Sequence, residues 1–138
     1  MVQFEEPAPE STRGGGVVID KAALGTLFDG LRAAVTIADQ DYQISFMNDR
    51  ATAFYAEDGG AKLIGRNLLD CHRDEHKVVI RAAYARYRAG DLTPTRYHAQ
   101  KEAGAPESIV HIPLVVEGEF RGIAELIWNE RADLVFDT

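Results

Sequence analysis

Residues 94–129 read as three consecutive apolar-rich runs, about 94–101, 107–117 and 119–129, separated by Ala103-Gly104-Ala105-Pro106 and Glu117-Gly118-Glu119. Turn-forming residues between strand-length runs predict an antiparallel meander. A meander cannot stand alone in water, because its apolar surface must be buried against another layer. The upstream residues must therefore supply the rest of a sheet and its cover.

They carry the right patterns. Asp20 stands as an N-cap before KAALGTLFDGL, where Leu24, Leu27, Phe28 and Leu31 share one helical face, so a helix is predicted over 20–31, ending near Gly30. Gly25 inside it lowers its propensity. Ala34–Ala38 and Tyr42–Met47 flank the polar Asp39-Gln40-Asp41, a hairpin signal. Asn48 can cap a short helix over DRATAFYAED, which Gly59-Gly60 ends. Residues 72–89 read as the longest helix, with Val79, Ile80, Ala83, Tyr84 and Tyr87 as its apolar stripe and Gly90 as its stop. The expected fold is α+β: a five-stranded antiparallel sheet with helices on one face.

Length and charge narrow the function classes. The chain has 138 residues, of which 46% are hydrophobic, enough for one domain with a real core. The expected division is a flexible tail at 1–19, a domain at 20–130 and a C-terminal tail at 131–138. A net charge of −7 argues against nucleic acid and anionic membrane as partners, because both select basic surfaces. No apolar run approaches the roughly 18 residues of a membrane span. The acidic start, MVQFEEPAPESTRGGG, does not read as a signal peptide. Cys71 is the single cysteine, so an internal disulfide is impossible and a reducing cytoplasm is the expected compartment.

Specific residues add a family likeness. Ala38-Asp39-Gln40-Asp41-Tyr42-Gln43-Ile44-Ser45-Phe46-Met47-Asn48 resembles the opening hairpin of PAS domains, in which a strand ends in Asp and the next runs into a helix-starting Asn. Leu63-Ile64-Gly65-Arg66-Asn67 resembles the Ile-Gly-Arg step before the main PAS helix. Phe120-Arg121-Gly122-Ile123-Ala124-Glu125 resembles the final PAS strand. Asn67-Leu68-Leu69-Asp70-Cys71-His72 is similar to a PAS subgroup with a Cys-His pair before the main helix, often followed by Pro; this chain has Arg73 there. The likeness spans about residues 20–130. It implies a PAS-like sheet with an N-terminal helix on or near its other face, and a homodimer built with such helices.

The chemistry-bearing residues are few. Cys71, His72 and His76 cluster in sequence, and on a helix His72 and His76 would share a face. Such a pair can ligate a metal or haem iron, or be ordinary groove residues with Asp70 or Cys71 as a cap. A structural zinc site wants four ligands, and only three candidates lie here, so no metal is assigned. The PAS resemblance places a haem ligand within the main helix, where Lys77–Arg88 holds no histidine. Light-sensing PAS domains resemble Gly-Arg-Asn-Cys, whereas this chain has Gly65-Arg66-Asn67-Leu68. A flavin without photochemistry can stack near Trp128, whose simpler role is packing. The cofactor is left unassigned between haem, flavin and none. No phosphate loop or nucleophile elbow is present, so no catalytic residue is assigned.

Strand parity suggests the wall of an interior pocket. Val110, Ile112, Leu114 and Val116 share one face of their strand, and Phe120, Gly122, Ala124, Leu126 and Trp128 share one face of the last. With Ile37, Phe46, Phe54, Tyr55, Ile64, Leu68, Cys71, His72, His76, Val79, Ala83 and Tyr97, the residues Ile112, Leu114, Ala124, Leu126 and Trp128 make up the expected ligand-binding set. The opposite face, with Ile109, Pro113, Val115, Ile123 and Ile127, is also apolar and would need a cover. The expectation is a non-enzymatic sensory module that binds a small molecule or a signalling protein and relays the change through its N-terminal helix and dimer interface. Two alternatives stand beside it. One is a cone-shaped α+β isomerase or dehydratase with a His–carboxylate pair inside, for which His98, His111 and Asp39 can be nominated. The other is a ligand-free dimerisation module.

Overall fold

The structure, a computed structural model, describes residues 20–99 and 107–129. The expected tails at 1–19 and 131–138 and the turn at 103–106 lie outside the described residues. The chain divides into two compact units, Met1–Leu31 and Arg32–Thr138.

The first unit contributes helix α1, Lys21–Asp29. Asp20 starts it by accepting a hydrogen bond from Ala23 N at 2.8 Å, and Gly30 ends it.

The second unit is built on a five-stranded sheet. Its strands are β1 (Ala34–Asp39), β2 (Ile44–Met47), β3 (Thr95–Ala99), β4 (Glu107–Val116) and β5 (Glu119–Asn129). Their spatial order is β2-β1-β5-β4-β3, and every neighbouring pair is antiparallel. Helix α2 (Asp49–Phe54), three short 3₁₀ turns and helix α3 (Asp74–Arg88) fill the connection between β2 and β3. The expected helix over 49–58 stops at Phe54, and residues 56–58 form the first 3₁₀ turn.

Asn48 holds the first corner. Its Oδ1 accepts from Ala51 N, capping α2, and from Val35 N, both at 2.9 Å, while its Nδ2 donates to Ala33 O at 3.0 Å. One fully buried amide thus ties the start of α2 to the start of β1. Asp39 Oδ1 accepts from Asp41 N and Gln43 N, forming the turn into β2, and Tyr42 sits there at a φ of 69°.

Helix α3 packs the predicted stripe inward: Ile80, Ala83, Tyr84 and Tyr87 are buried, and Val79 is half-buried. Its tyrosines keep their hydroxyls paired. Tyr84 donates to Asp39 O at 2.8 Å and Tyr87 donates to His111 O at 3.0 Å.

The sheet faces differ from expectation. The core cluster takes Ile109 from β4 and Ile123 and Ile127 from β5, not the alternating set with Ile112, Leu114, Ala124, Leu126 and Trp128. On β5 the cause is a bulge. Val116 pairs with Glu119 and Val115 with Phe120, but Leu114 pairs with Gly122, so Arg121 is an extra residue. Phe120 therefore stays on the core side, against Tyr84 and Tyr87, and every later β5 side chain lies on the face opposite to uninterrupted alternation. Gly122 is required at this bulge. Its φ is 138°, and a Cβ there would lie 2.0 Å from Ala38 O.

Candidate functional site

Glu125 sits in the middle of β5, paired with Thr36 on β1 and His111 on β4, with 1% of its surface exposed. A carboxylate there faces the interior only because the bulge turned it inward. Burial of an unpaired carboxylate is prohibitive, so its partners decide what it is.

Three donors surround it. Tyr55, buried just past α2, donates its hydroxyl to Oε1 at 2.6 Å. His72 Nε2 lies 3.2 Å from Oε2 and 3.1 Å from the Tyr55 hydroxyl. His111 Nε2 lies 3.1 Å from Oε2. Charge-assisted bonds of this kind are the stronger class of hydrogen bond.

Protonation follows from the acceptors. His72 Nδ1 is 2.8 Å from the Leu68 carbonyl, which can only accept. Its Nε2 faces a carboxylate, which also only accepts. Both ring nitrogens therefore donate, and His72 is an imidazolium. Burial pulls its pKa down, but hydrogen bonds to Cys71 and Glu125, with the Glu125 charge, more than offset this and raise it to about 10. Burial pushes Glu125 upward, yet the hydrogen bonds from His111 and His72, with the His72 charge, hold its carboxyl well below the usual range. Burial, followed by the charge and hydrogen bond of Glu125, drives Tyr55 well above the usual phenol value, so it remains a donor.

The cluster continues outward as an arc of rings. Tyr55 to His72 is 5.6 Å between centroids, His72 to His76 6.4 Å, His76 to Tyr97 5.5 Å and Tyr97 to His111 5.4 Å. His76 is half-buried in the first turn of α3. Burial, then the His72 charge, lowers its pKa.

The anticipated site residues separate into two groups. Tyr55, Leu68, Cys71 and Ala83 join the core; His72, His76 and Tyr97 form the arc; Phe54 packs edge-on against Tyr55 at 4.8 Å; Val79 lies half-buried on α3. Ile37, Phe46, Ile112, Leu114, Ala124, Leu126 and Trp128 lie on the opposite sheet face, and Ile64 is exposed in a turn. Trp128 carries Arg96 over its ring at 5.5 Å, so a flavin stacked there would sit outside the interior. Helix α3 begins at Asp74, and His72 precedes it in extended backbone, so His72 and His76 are not an i, i+4 helical pair. Cys71 lies in the 3₁₀ turn over Leu68–Cys71 with its thiol donating to Leu68 O at 3.2 Å. Among the described residues no group of three or more His, Cys, Asp or Glu is placed to hold a metal ion.

Glu125 and His111 were missed as a pair. Each is a lone polar residue inside an apolar strand, and each falls opposite the other across the Glu117-Gly118 turn once one bulge residue is allowed. Asp39, nominated for an enzyme, is a turn residue engaged with its own loop.

No family model matches the chain, and no curated protein sequence matches it. Solved structures do. The C-terminal domain of a Streptococcus mutans protein aligns over 91% of this chain and 92% of its own, with TM-score 0.69 and 18% identity. The PAS domain of BvgS from Bordetella pertussis aligns over 80% and 85%, with TM-score 0.59 and 14% identity. A sensory box sensor histidine kinase from Vibrio cholerae aligns over 79% and 90%, with TM-score 0.57 and 16% identity. At such identities the likeness concerns the fold. Taken with the β2-β1-β5-β4-β3 sheet and the helical crossover on its inner face, it shows that the chain has the PAS fold.

Proposed function

We propose that the chain is a sensory module: it binds a small molecule or a signalling partner at the Glu125 cluster and relays the change through its N-terminal helix and a homodimer interface. The observation that carries this reading is the placement of Glu125. One buried carboxylate joins the segment after α2 (Tyr55), the turn before α3 (His72) and strand β4 (His111). Anything that alters its hydrogen bonds acts on three elements at once, which a sensor needs. A core required only for stability would be as well served by apolar residues. The sensory box sensor histidine kinase among the structural relatives supports the same reading.

The enzymatic alternative asked for a His–carboxylate pair inside, and that pair exists. Its chemistry is unsuited to proton transfer near neutrality. An efficient acid or base has a pKa near the working pH. Here the pair pushes its members apart, His72 up to about 10 and Glu125 well below its usual value. The carboxylate is a weak base and the imidazolium a weak acid. This favours a fixed ionic anchor over a catalyst.

Native mass spectrometry and an absorption spectrum of the protein, purified without added ligand, test the reading. A retained small molecule and a mass of twice the chain are expected. A monomer that retains nothing, and whose hydrogen-exchange pattern no metabolite mixture changes, overturns it. A Soret or flavin band would instead name the ligand as a chromophore.

A further inference from the structure

Two buried polar atoms beside the Glu125 cluster have no hydrogen-bond partner among the described residues: His111 Nδ1 and Tyr97 Oη. Their rings touch edge to face, with centroids 5.4 Å apart and planes at 67°. Native interiors leave few such groups unpaired, so two on contacting rings call for an explanation. His111 is fully buried and offers Nε2–H to the Glu125 carboxylate. In the neutral ring Nδ1 then holds a lone pair, which only an incoming N–H or O–H can satisfy. The Tyr97 hydroxyl can both donate and accept.

Charge decides what class of molecule fits. Glu125 is already matched by the His72 imidazolium, 3.2 Å away. An added ion would bring a buried charge with no counterpart. Tyr97 and the neighbouring His76 are half-buried, so the two atoms, themselves sealed from solvent, lie behind a partly exposed ring. We propose that Tyr97 Oη and His111 Nδ1 form a binding site for a small uncharged molecule with an N–H or O–H donor beside an acceptor: a primary amide, a urea or a hydroxyl compound. This deepens the sensory reading by naming its ligand class, and rests on it. Occupancy would link β3 to β4 and, through Glu125, to Tyr55 and His72.

The test uses the full chain labelled with ¹⁵N-histidine and acetamide as the probe, with acetate as its charged counterpart. Acetamide is expected to move the His111 Nδ1 resonance upfield in a saturable manner, and acetate to leave it in place. Tyr97→Phe should weaken acetamide about tenfold, the value of one hydrogen bond. The same variant should melt no lower than the parent, because it removes an unpaired buried hydroxyl. Should it fail to fold, the resonance of the unmodified chain still decides. The proposal is overturned if His111 Nδ1 does not respond to acetamide, if acetate competes equally, or if Nδ1 is already hydrogen-bonded to a water that acetamide does not displace. A co-purified molecule that leaves His111 undisturbed would sink this site while the sensory reading stands.

Discussion

The two faces of the sheet exchange the roles that hydropathy would give them. The face against α3 carries the polar pair Glu125 and His111, flanked by Ile109, Ile123 and Ile127. The other face carries Val35 and Val110, which are buried, Leu114 and Leu126, which are half-buried, and Ile112, which is 39% exposed. A charge inside and an aliphatic side chain outside are compatible with one stable unit because the inner charges are paired and hydrogen-bonded, which removes most of the penalty of burial. Ile112 is the one exposed member of this set, and a single aliphatic residue on a surface carries little penalty.

The comparison can be attacked first at its charged centre. Glu125→Ala leaves a buried imidazolium and a buried phenol without their shared acceptor. A loss of about 3–5 kcal/mol is expected by urea denaturation. A loss below about 1 kcal/mol would mean that water already solvates the cluster.

Gly122→Ala tests the bulge that turned Glu125 inward. A Cβ would meet Ala38 O at 2.0 Å from a backbone with φ 138°. The expected cost is about 1–3 kcal/mol, and more if β1 must shift. A neutral result would show that the bulge can move and that the faces are not fixed by it.

The pH dependence sharpens the charge assignment. His72 has a folded pKa raised from 6.5 to about 10, so its contribution is complete below about pH 6.5 and is lost as pH rises towards 10. Glu125 is depressed below its usual 4.5, so its contribution is present above that value and lost on acidification. Stability from the pair therefore peaks between the two and falls on the alkaline side by up to about 1.4 kcal/mol per pH unit. Melting temperatures across pH 6–10 should show this slope in the parent and lose it in His72→Gln. The slope persisting in His72→Gln would remove His72 as its source.

The smallest effect belongs to the outer face. Ile112→Ser should change the stability of an isolated chain by less than about 0.5 kcal/mol. A larger loss that depends on protein concentration would identify this face as a contact between copies.

Local signals explain what was legible. The hairpin into β2, the Asn48 cap, the α3 stripe and the β4–β5 turn each depend on neighbours within a few residues, and each is found where the pattern puts it. The start of α3 was placed early because Asp70, Cys71 and His72 look like a helix start, whereas a 3₁₀ turn ends there and His72 is extended. The interior face of β5 was misassigned because alternation was carried unbroken through Arg121, and that of β4 because Val115, not Val116, pairs with the core-facing Phe120. Polarity reinforced the error: His111 and Glu125 looked like solvent-facing residues.

By itself, then, the sequence determined the elements and their order, since capping, turn chemistry and helical periodicity act within a few residues of chain. The PAS sheet order, the inward turn of Glu125 and its meeting with Tyr55, His72 and His111 were decided only in three dimensions. Those contacts join residues 14 to 70 positions apart. One extra residue in a strand reverses a face, and only the pairing with the neighbouring strand determines where that residue goes.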